Sequence, residues 1–344
     1  MEGLQTERVQ HWRRTRAFTV LIVLAMLIAI TFLISMDTGI IRLPPMDVIR
    51  TLFGQGDAKQ GLILFDFRLP RIVISVLVGA GLAISGCILQ GISRNGLADP
   101  GILGINSGAG LMVVLFISFY PVNATAPAVL MPFLAFVGAA LTAALIYVLA
   151  FKRHEGLSPS RLVLVGIAVA AGISAVMMVL ELMLDPENFQ FVAMWLAGSI
   201  TGTDWSYVMA LLPWLVVLVP YVIYKARVLD VLNLGDQVAT GLGAPVEKER
   251  ILLLGAAVAL AAACVAVGGG IGFVGLIGPH LARRLVGGKH QFLVPASALA
   301  GGLLLIVADT LARCVVPSTE LPTGIVVAVI GAPYFLYLLA RSQA

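Results

Sequence analysis

Residues 71–92 read RIVISVLVGAGLAISGCILQGI. No charged side chain follows Arg71 in this run, and its apolar residues are continuous, without the period-two alternation of a barrel strand. A helix needs roughly 20 such residues to cross about 30 Å of hydrocarbon. The stretch therefore reads as one transmembrane helix. Small residues recur within it at Gly79, Gly81, Ala83 and Gly86, and in the next apolar run at Gly104 and Gly108. Spacing of this kind lets helix backbones approach closely, and it argues for dense packing without naming a substrate.

The same pattern repeats along the chain. Apolar runs lie at about 17–36, 71–92, 101–118, 127–151, 160–183, 207–224, 250–268, 273–286, 292–314 and 322–341. Of the 344 residues, 60% are hydrophobic and only 12% charged, against about 45–50% and about 25% in a soluble domain. The mean hydropathy is +1.01. So few charges cannot cover a water-facing surface of this size, so the reading is an all-α polytopic membrane protein with ten transmembrane helices. The run at 273–286 is too short to span as a straight helix and reads as a half-helix buried among its neighbours.

The domain organisation follows. Residues 1–16 form a cytoplasmic tail, 17–341 a single transmembrane domain, and 342–344 a short C-terminal tail. The first run follows Arg8, Arg13, Arg14 and Arg16, but Ser35, Met36 and Asp37 supply no small-residue cleavage site, so it reads as an uncleaved span. With the N-terminus inside, the basic tail, Arg94, Lys152, Arg153, Arg161, Lys225, Arg227, Lys248, Arg250, Arg283, Arg284, Lys289 and Arg341 all fall on the inner side. Arg42, Arg50, Lys59, Arg68, Arg71 and Arg313 fall outside. This bias places both termini in the cytoplasm. It also accounts for the net charge of +4 as membrane topology and not as a nucleic-acid surface. The two long connections are an external loop at 37–70 and a cytoplasmic loop at 225–249.

Little in the sequence can do chemistry. The glycine run Gly268–Gly275 is followed by Leu276, Ile277 and Gly278, and Gly287-Gly288-Lys289 by His290, so neither has the Lys-Ser/Thr ending of a nucleotide-binding phosphate loop. The run reads as a tight turn. Cys87, Cys264 and Cys314 lack metal-ligand spacing, the histidines are scattered, and His280 after Pro279 reads as a cap or packing residue. No metal, cofactor or catalytic residue is expected. Asp309 lies one helical turn before Arg313, where an ion pair is natural. No carboxylate sits clearly at mid-membrane, which weakens the reading as a proton-coupled secondary transporter. In the loop 225–249, apolar residues at 228, 231, 232, 234, 238, 239 and 242 fit short amphipathic helices broken at Gly235 and ending near Gly241 or Gly243. They carry Asp230 and Asp236 and lack the basic face of a lipid-surface helix, so they read as a dock for a cytosolic partner.

Several long stretches resemble the FecCD family, the permease subunits of ABC importers for iron–siderophores, haem and vitamin B12. They are FRLPRIVISVLVGAGLAISGCILQGISRNGLADPGILGINSGAG at 67–110, LGDQVATGLG at 234–243, GGGIGFVGLIGPHLARRLVG at 268–287 and VADTLARCVVPSTELPTGIVVAVIGAPYFLYLLAR at 307–341. The resemblance implies the type II ABC importer permease fold, a homo- or heterodimer with a second permease subunit, two cytosolic ATPase subunits and an extracytoplasmic substrate-binding protein. ATP hydrolysis would occur on the separate ATPase chain. It further implies that Leu234, Gly235, Asp236, Gln237, Thr240, Gly241 and Gly243 belong to the ATPase-coupling loop. Arg68 and Arg313 would dock the binding protein, as arginine pairs well with carboxylates. Gly166, Ser174, Met177, Met178, Glu181, Thr323 and Gly324 would lie along the translocation pathway. The expected function is import of a ferric siderophore across the cytoplasmic membrane, with vitamin B12 or haem as the alternative cargo.

Overall fold

In the computed structural model each of the ten apolar runs is helical, and short elements fill the two long connections. The structure describes all residues except 1, 39–44, 53, 55, 102, 121–129, 153–155, 316–319 and 343–344. Helix α1 spans Glu2–Asp37, so it begins well before its apolar stretch. Two short helices follow, α2 (Pro45–Leu52) and α3 (Ala58–Gly61). Asp57 starts α3 by accepting from the Ala58 amide at 2.7 Å, while Gln60 closes a capping box. A π-helical stretch, Leu62–Arg68, runs without a break into α4 (Leu69–Ser93). The region 37–70, read as a loop, is thus largely helical in its described part.

The chain continues through α5 (Ile105–Phe119), α6 (Leu130–Ala150), α7 (Pro159–Glu181), α8 (Pro186–Leu196) and α9 (Trp205–Tyr224). Next come α10 (Ala226–Asn233), α11 (Asp236–Gly241), α12 (Val246–Gly268), α13 (Val274–Val286), α14 (His290–Val315) and α15 (Thr323–Ser342). A two-residue pairing, β1 (Phe151–Lys152) with β2 (Gly156–Leu157), joins α6 to α7. Hydropathy did not reveal α8, because Glu187, Asn188 and Gln190 dilute it. Its start was nonetheless written in the chain: Asp185 accepts from the amides of Glu187 and Asn188 at 3.1 and 2.9 Å, and Pro186 sits at the first helical position.

Seven described spans are long and apolar enough to cross a bilayer unaided. At 15 and 13 residues, α5 and α13 are shorter than a bilayer core, as expected for α13. The glycine run turns tightly at Gly269 (φ +70°) and seats on the end of α8, where the Gly270 amide donates to the Trp195 carbonyl at 3.2 Å.

Helix α4 is the axis of the bundle. It is buried along nearly its whole length and packs against α14, α12, α13 and α9. Lipid offers no hydrophobic drive between helices, so close backbone approach supplies the cohesion. Two glycine pairs permit it. A Cβ on Gly79 would strike the Gly301 carbonyl, and one on Gly86 the Gly275 carbonyl. Polar groups on this axis are bonded internally, as a dry environment requires: Ser85 Oγ donates to the Ala257 carbonyl at 2.7 Å. By contrast α1 turns Phe18, Ile22, Met26 and Leu33 outward, the pattern of a lipid-facing helix.

Candidate functional site

Polar chemistry collects at the two opposite ends of α14. At its first residue lies α10, followed by α11, the two short helices expected in the loop 225–249. Lys225 Nζ and Glu249 Oε1, 2.7 Å apart, tie the stems of this loop together. That hydrogen bond holds the Lys225 ammonium above its usual pKa. Helix α10 is amphipathic and buries Ala226, Leu229 and Leu232 against the bundle. The break falls at Gly235, whose φ of +104° is open to glycine and closed to most side chains. Beyond it α11 buries Ala239, and the two short helices together present an apolar surface: Leu234 at the end of α10, and Val238 and Leu242 on and just after α11, are 60%, 51% and 65% exposed.

The residues of this loop divide by role. Leu234, Gln237, Gly241 and Gly243 are exposed. Asp236 is engaged within the chain, accepting from Arg250 Nη2 at 2.7 Å and Arg94 Nη2 at 3.2 Å. Thr240 Oγ donates to the Asp236 carbonyl one turn back at 2.8 Å, so its hydroxyl is satisfied within α11. The outcome is an apolar knob on a stalk pinned by ion pairs.

At the other end of α14 the structure builds a buried charge network. The expected Asp309–Arg313 pair is present, with Nε to Oδ2 at 3.1 Å. Asp309 is fully buried and has a second, unforeseen partner: Arg71 Nε donates to its Oδ1 at 2.9 Å. Thr323 Oγ donates to the same oxygen at 3.2 Å. Arg71 also donates through Nη1 to Glu320 Oε2 at 2.7 Å, and Thr201 Oγ donates to that oxygen at 3.1 Å. Burial alone would raise the Glu320 carboxyl. The Arg71 charge and hydrogen bond, with that of Thr201, hold it below the usual carboxylate range.

Arg68 and Arg313 converge on the C-terminal end of α1. Arg68 Nη1 donates to the Met36 carbonyl, and Arg313 donates to the Thr38 carbonyl at 3.2 Å, the Ser35 carbonyl at 3.4 Å and Ser35 Oγ. Two guanidiniums thereby cap carbonyls at the end of this helix. Both side chains are buried within the chain.

The residues expected along the pathway separate into two sets. Met177 is 7% exposed and packs beside Val114 and Val192, while Met178, one position on, is 67% exposed. Gly166 is buried on the packed side of α7, Ser174 is on its exposed side, and Glu181 is half-buried at its end. Thr323 and Gly324 are buried at the start of α15, where the Gly324 amide donates to the Gly198 carbonyl at 2.8 Å. His280 packs edge-on to Tyr334, ring centroids 5.8 Å apart, in keeping with its reading as a packing residue.

An all-helical bundle with a pinned apolar knob at one end and buried arginines at the other can now be set beside known proteins. The FecCD transport family matches residues 27–341. The chain belongs to this family. It is 51% identical over 337 residues to the iron(3+)-hydroxamate import system permease protein FhuG of Bacillus subtilis (strain 168), covering 96% of this chain and 100% of that one. It is 41% identical over 322 residues to the iron-uptake system permease protein FeuC of the same organism, covering 92% and 96%. Among solved structures it resembles an inward-facing conformation assigned to a metal-chelate type ABC transporter, with a TM-score of 0.82 and 32% identity over 94% of this chain and 99% of that one. This FecCD chain is thus a multi-pass membrane permease subunit with the type II ABC importer fold. Transport, not catalysis, is its work.

Proposed function

We propose that this FecCD permease forms part of an ATP-driven importer carrying a ferric siderophore of the hydroxamate class across the cytoplasmic membrane. The observation that supports coupling to a separate ATPase is the exposed Leu234–Val238–Leu242 knob, held on a stalk by Asp236 and Glu249. An apolar surface in this setting fits a groove on a partner and not water. Full-length likeness to FhuG supports the cargo class. Two such permease subunits would enclose the pathway, two ATPases would seat on the knobs, and an external binding protein would deliver cargo to the opposite face. The exposed Ser174 and Met178 face of α7 would border the pathway, Glu181 would stand at its outer mouth, and Gly166, Met177, Thr323 and Gly324 would shape its wall from behind.

The assay is uptake by proteoliposomes holding the permease, its ATPase and its binding protein. Radiolabelled iron hydroxamate is expected to enter with ATP and to keep entering when the proton gradient is collapsed. Uptake of haem or cobalamin in its place would overturn the cargo, and uptake without the ATPase would overturn the mechanism.

The positive field of the Arg68–Arg313 end would orient a binding protein bearing carboxylates. Each of those carboxylates would reach its arginine by displacing an α1 carbonyl. Arg68→Glu with Arg313→Glu is expected to weaken binding-protein docking by about tenfold or more, the size of a lost charge-assisted contact. Unchanged docking by a correctly inserted variant would remove the assignment.

The topology that goes with this reading puts both termini and the knob in the cytoplasm, and Arg313 outside. The native cysteines test it. Cys314 is exposed next to Arg313, whereas Cys87 and Cys264 are fully buried. A membrane-impermeant maleimide applied to intact cells is expected to label Cys314 alone. Labelling only after the inner face is opened would invert the topology.

A further inference from the structure

The pairing of α4 with α14 has a mechanical consequence. Midway along both helices the contact is backbone on backbone. A Cβ on Gly301 would strike the Gly79 carbonyl and Ala83, and one on Gly302 would come within 3.2 Å of Val76. Surfaces this close cannot slide without collision, because packed interiors have discrete arrangements and do not deform continuously. At the charged end, Arg71 of α4 and Asp309 of α14 bind each other within the buried network. The two helices are therefore fastened at the middle and at one end.

The other end is fastened through α10. His290, the first residue of α14, is 1% exposed. Its Nδ1 lies 2.7 Å from Asp230 Oδ1, and its backbone amide donates to the same oxygen at 2.9 Å. The opposite edge of the imidazole rests on α4: a Cβ on Gly91 would come within 2.9 Å of His290 Nε2. One ring thus sits between the first helix of the knob, the start of α14 and the end of α4. Leu229 of α10 presses on the same glycine, with a would-be Cβ contact of 3.3 Å. Arg94, which caps α4, reaches Asp236 of α11 at 3.2 Å. That last pair is solvent-exposed and contributes little by itself. The His290 contacts are part-buried, with the ring 1% exposed and the Asp230 side chain 36%, and are screened less.

We propose that α4 and α14 move as one lever and that the Asp230–His290 clasp is the joint through which α10 drives it. A helix of 26 residues is about 39 Å long. Motion of the knob delivered at His290 therefore reaches Asp309 and Arg313 at the far end, where Arg71 passes it to Glu320 and Thr201. His290 and Asp230 are positioning residues: they touch no cargo and set the geometry of the groups that respond to it. This rests on the transport reading above.

The clasp has two parts that substitution can separate. His290→Ala removes the side-chain bond and keeps the backbone amide on Asp230, so the start of α14 stays capped. His290→Asn restores a donor at the position of Nδ1. In the reconstituted complex, His290→Ala is expected to keep its ATPase through purification. Its stimulation of hydrolysis by loaded binding protein should fall about tenfold, the fold-change of one lost hydrogen bond to a charged group. ATP consumed per iron imported should rise. His290→Asn should recover most of the wild-type ratio. A purely structural clasp would lower thermal stability in detergent and leave that ratio alone, and this result would overturn the joint. Should His290→Ala fail to fold, Asp230→Asn, which keeps the acceptor oxygen without its charge, is expected to raise the ATP consumed per iron partway; an unchanged ratio there counts equally against the joint. A wild-type complex showing no stimulation at all would overturn the transport reading, and the joint with it.

Discussion

Asp309→Ala is expected to produce the largest loss of stability of any single substitution at the charged end. It would leave Arg71 and Arg313 buried without their shared counter-ion, since Asp309 binds both and is fully enclosed. Removing one member of a buried ion pair typically costs about 3–5 kcal/mol, because the remaining charge keeps its desolvation penalty. Thr323 would lose its acceptor as well. The measurement is the fraction of protein remaining dispersed in detergent after graded heating, compared across wild type, Asp309→Asn and Asp309→Ala. Asparagine retains oxygen and shape and should fall between the others. If alanine and wild type melt together, Asp309 does not hold the network and Arg71 must be stabilised elsewhere.

The second large effect is expected at the opposite end and on a different quantity. Leu234→Ala combined with Leu242→Ala removes two exposed leucines from the knob. The isolated chain should fold as before, because neither side chain belongs to its core. Binding of the ATPase should weaken by more than about a hundredfold, corresponding to about 3 kcal/mol for two leucines buried at an interface. Co-purification of the two chains from membranes, followed by titration of purified ATPase, reads this directly. Leu229→Ala is the contrasting case. Leu229 is buried beneath α10, so its loss should lower the stability of the permease before it affects docking. Equal ATPase affinity in the double variant would exclude the knob as the seat.

These two substitutions also show how differently the two ends could be read in advance. The knob was legible because its determinants are local. Apolar spacing, the glycine at 235 and the missing basic face all lie within one short segment, and the structure places the break at Gly235 with positive φ. The Asp309–Arg313 pair was legible for the same reason, being one helical turn apart. Arg71 was counted only as a charge beside a span, because its partner lies 238 positions away. His290 likewise meets Asp230 across 60 positions, and nothing in its immediate neighbours announces it. Asp185-Pro186 was a local signal for α8 that hydropathy masked.

The sequence by itself determined which segments form long apolar helices, where the connecting loop breaks and which family's motifs the chain carries. Each depends on composition or spacing within about one helix length, where hydrophobic transfer and backbone preference act alone. Tertiary structure decided which face of each span is covered. Met177 and Met178 are adjacent and chemically identical, yet one is enclosed by α5 and α8 while the other is open. Tertiary structure also decided that Arg71, Asp309 and Glu320 form one network and that His290 clasps α10. A buried charge or polar group is settled by whichever partner the packed helices bring within hydrogen-bonding distance, and that distance is a property of the assembled bundle.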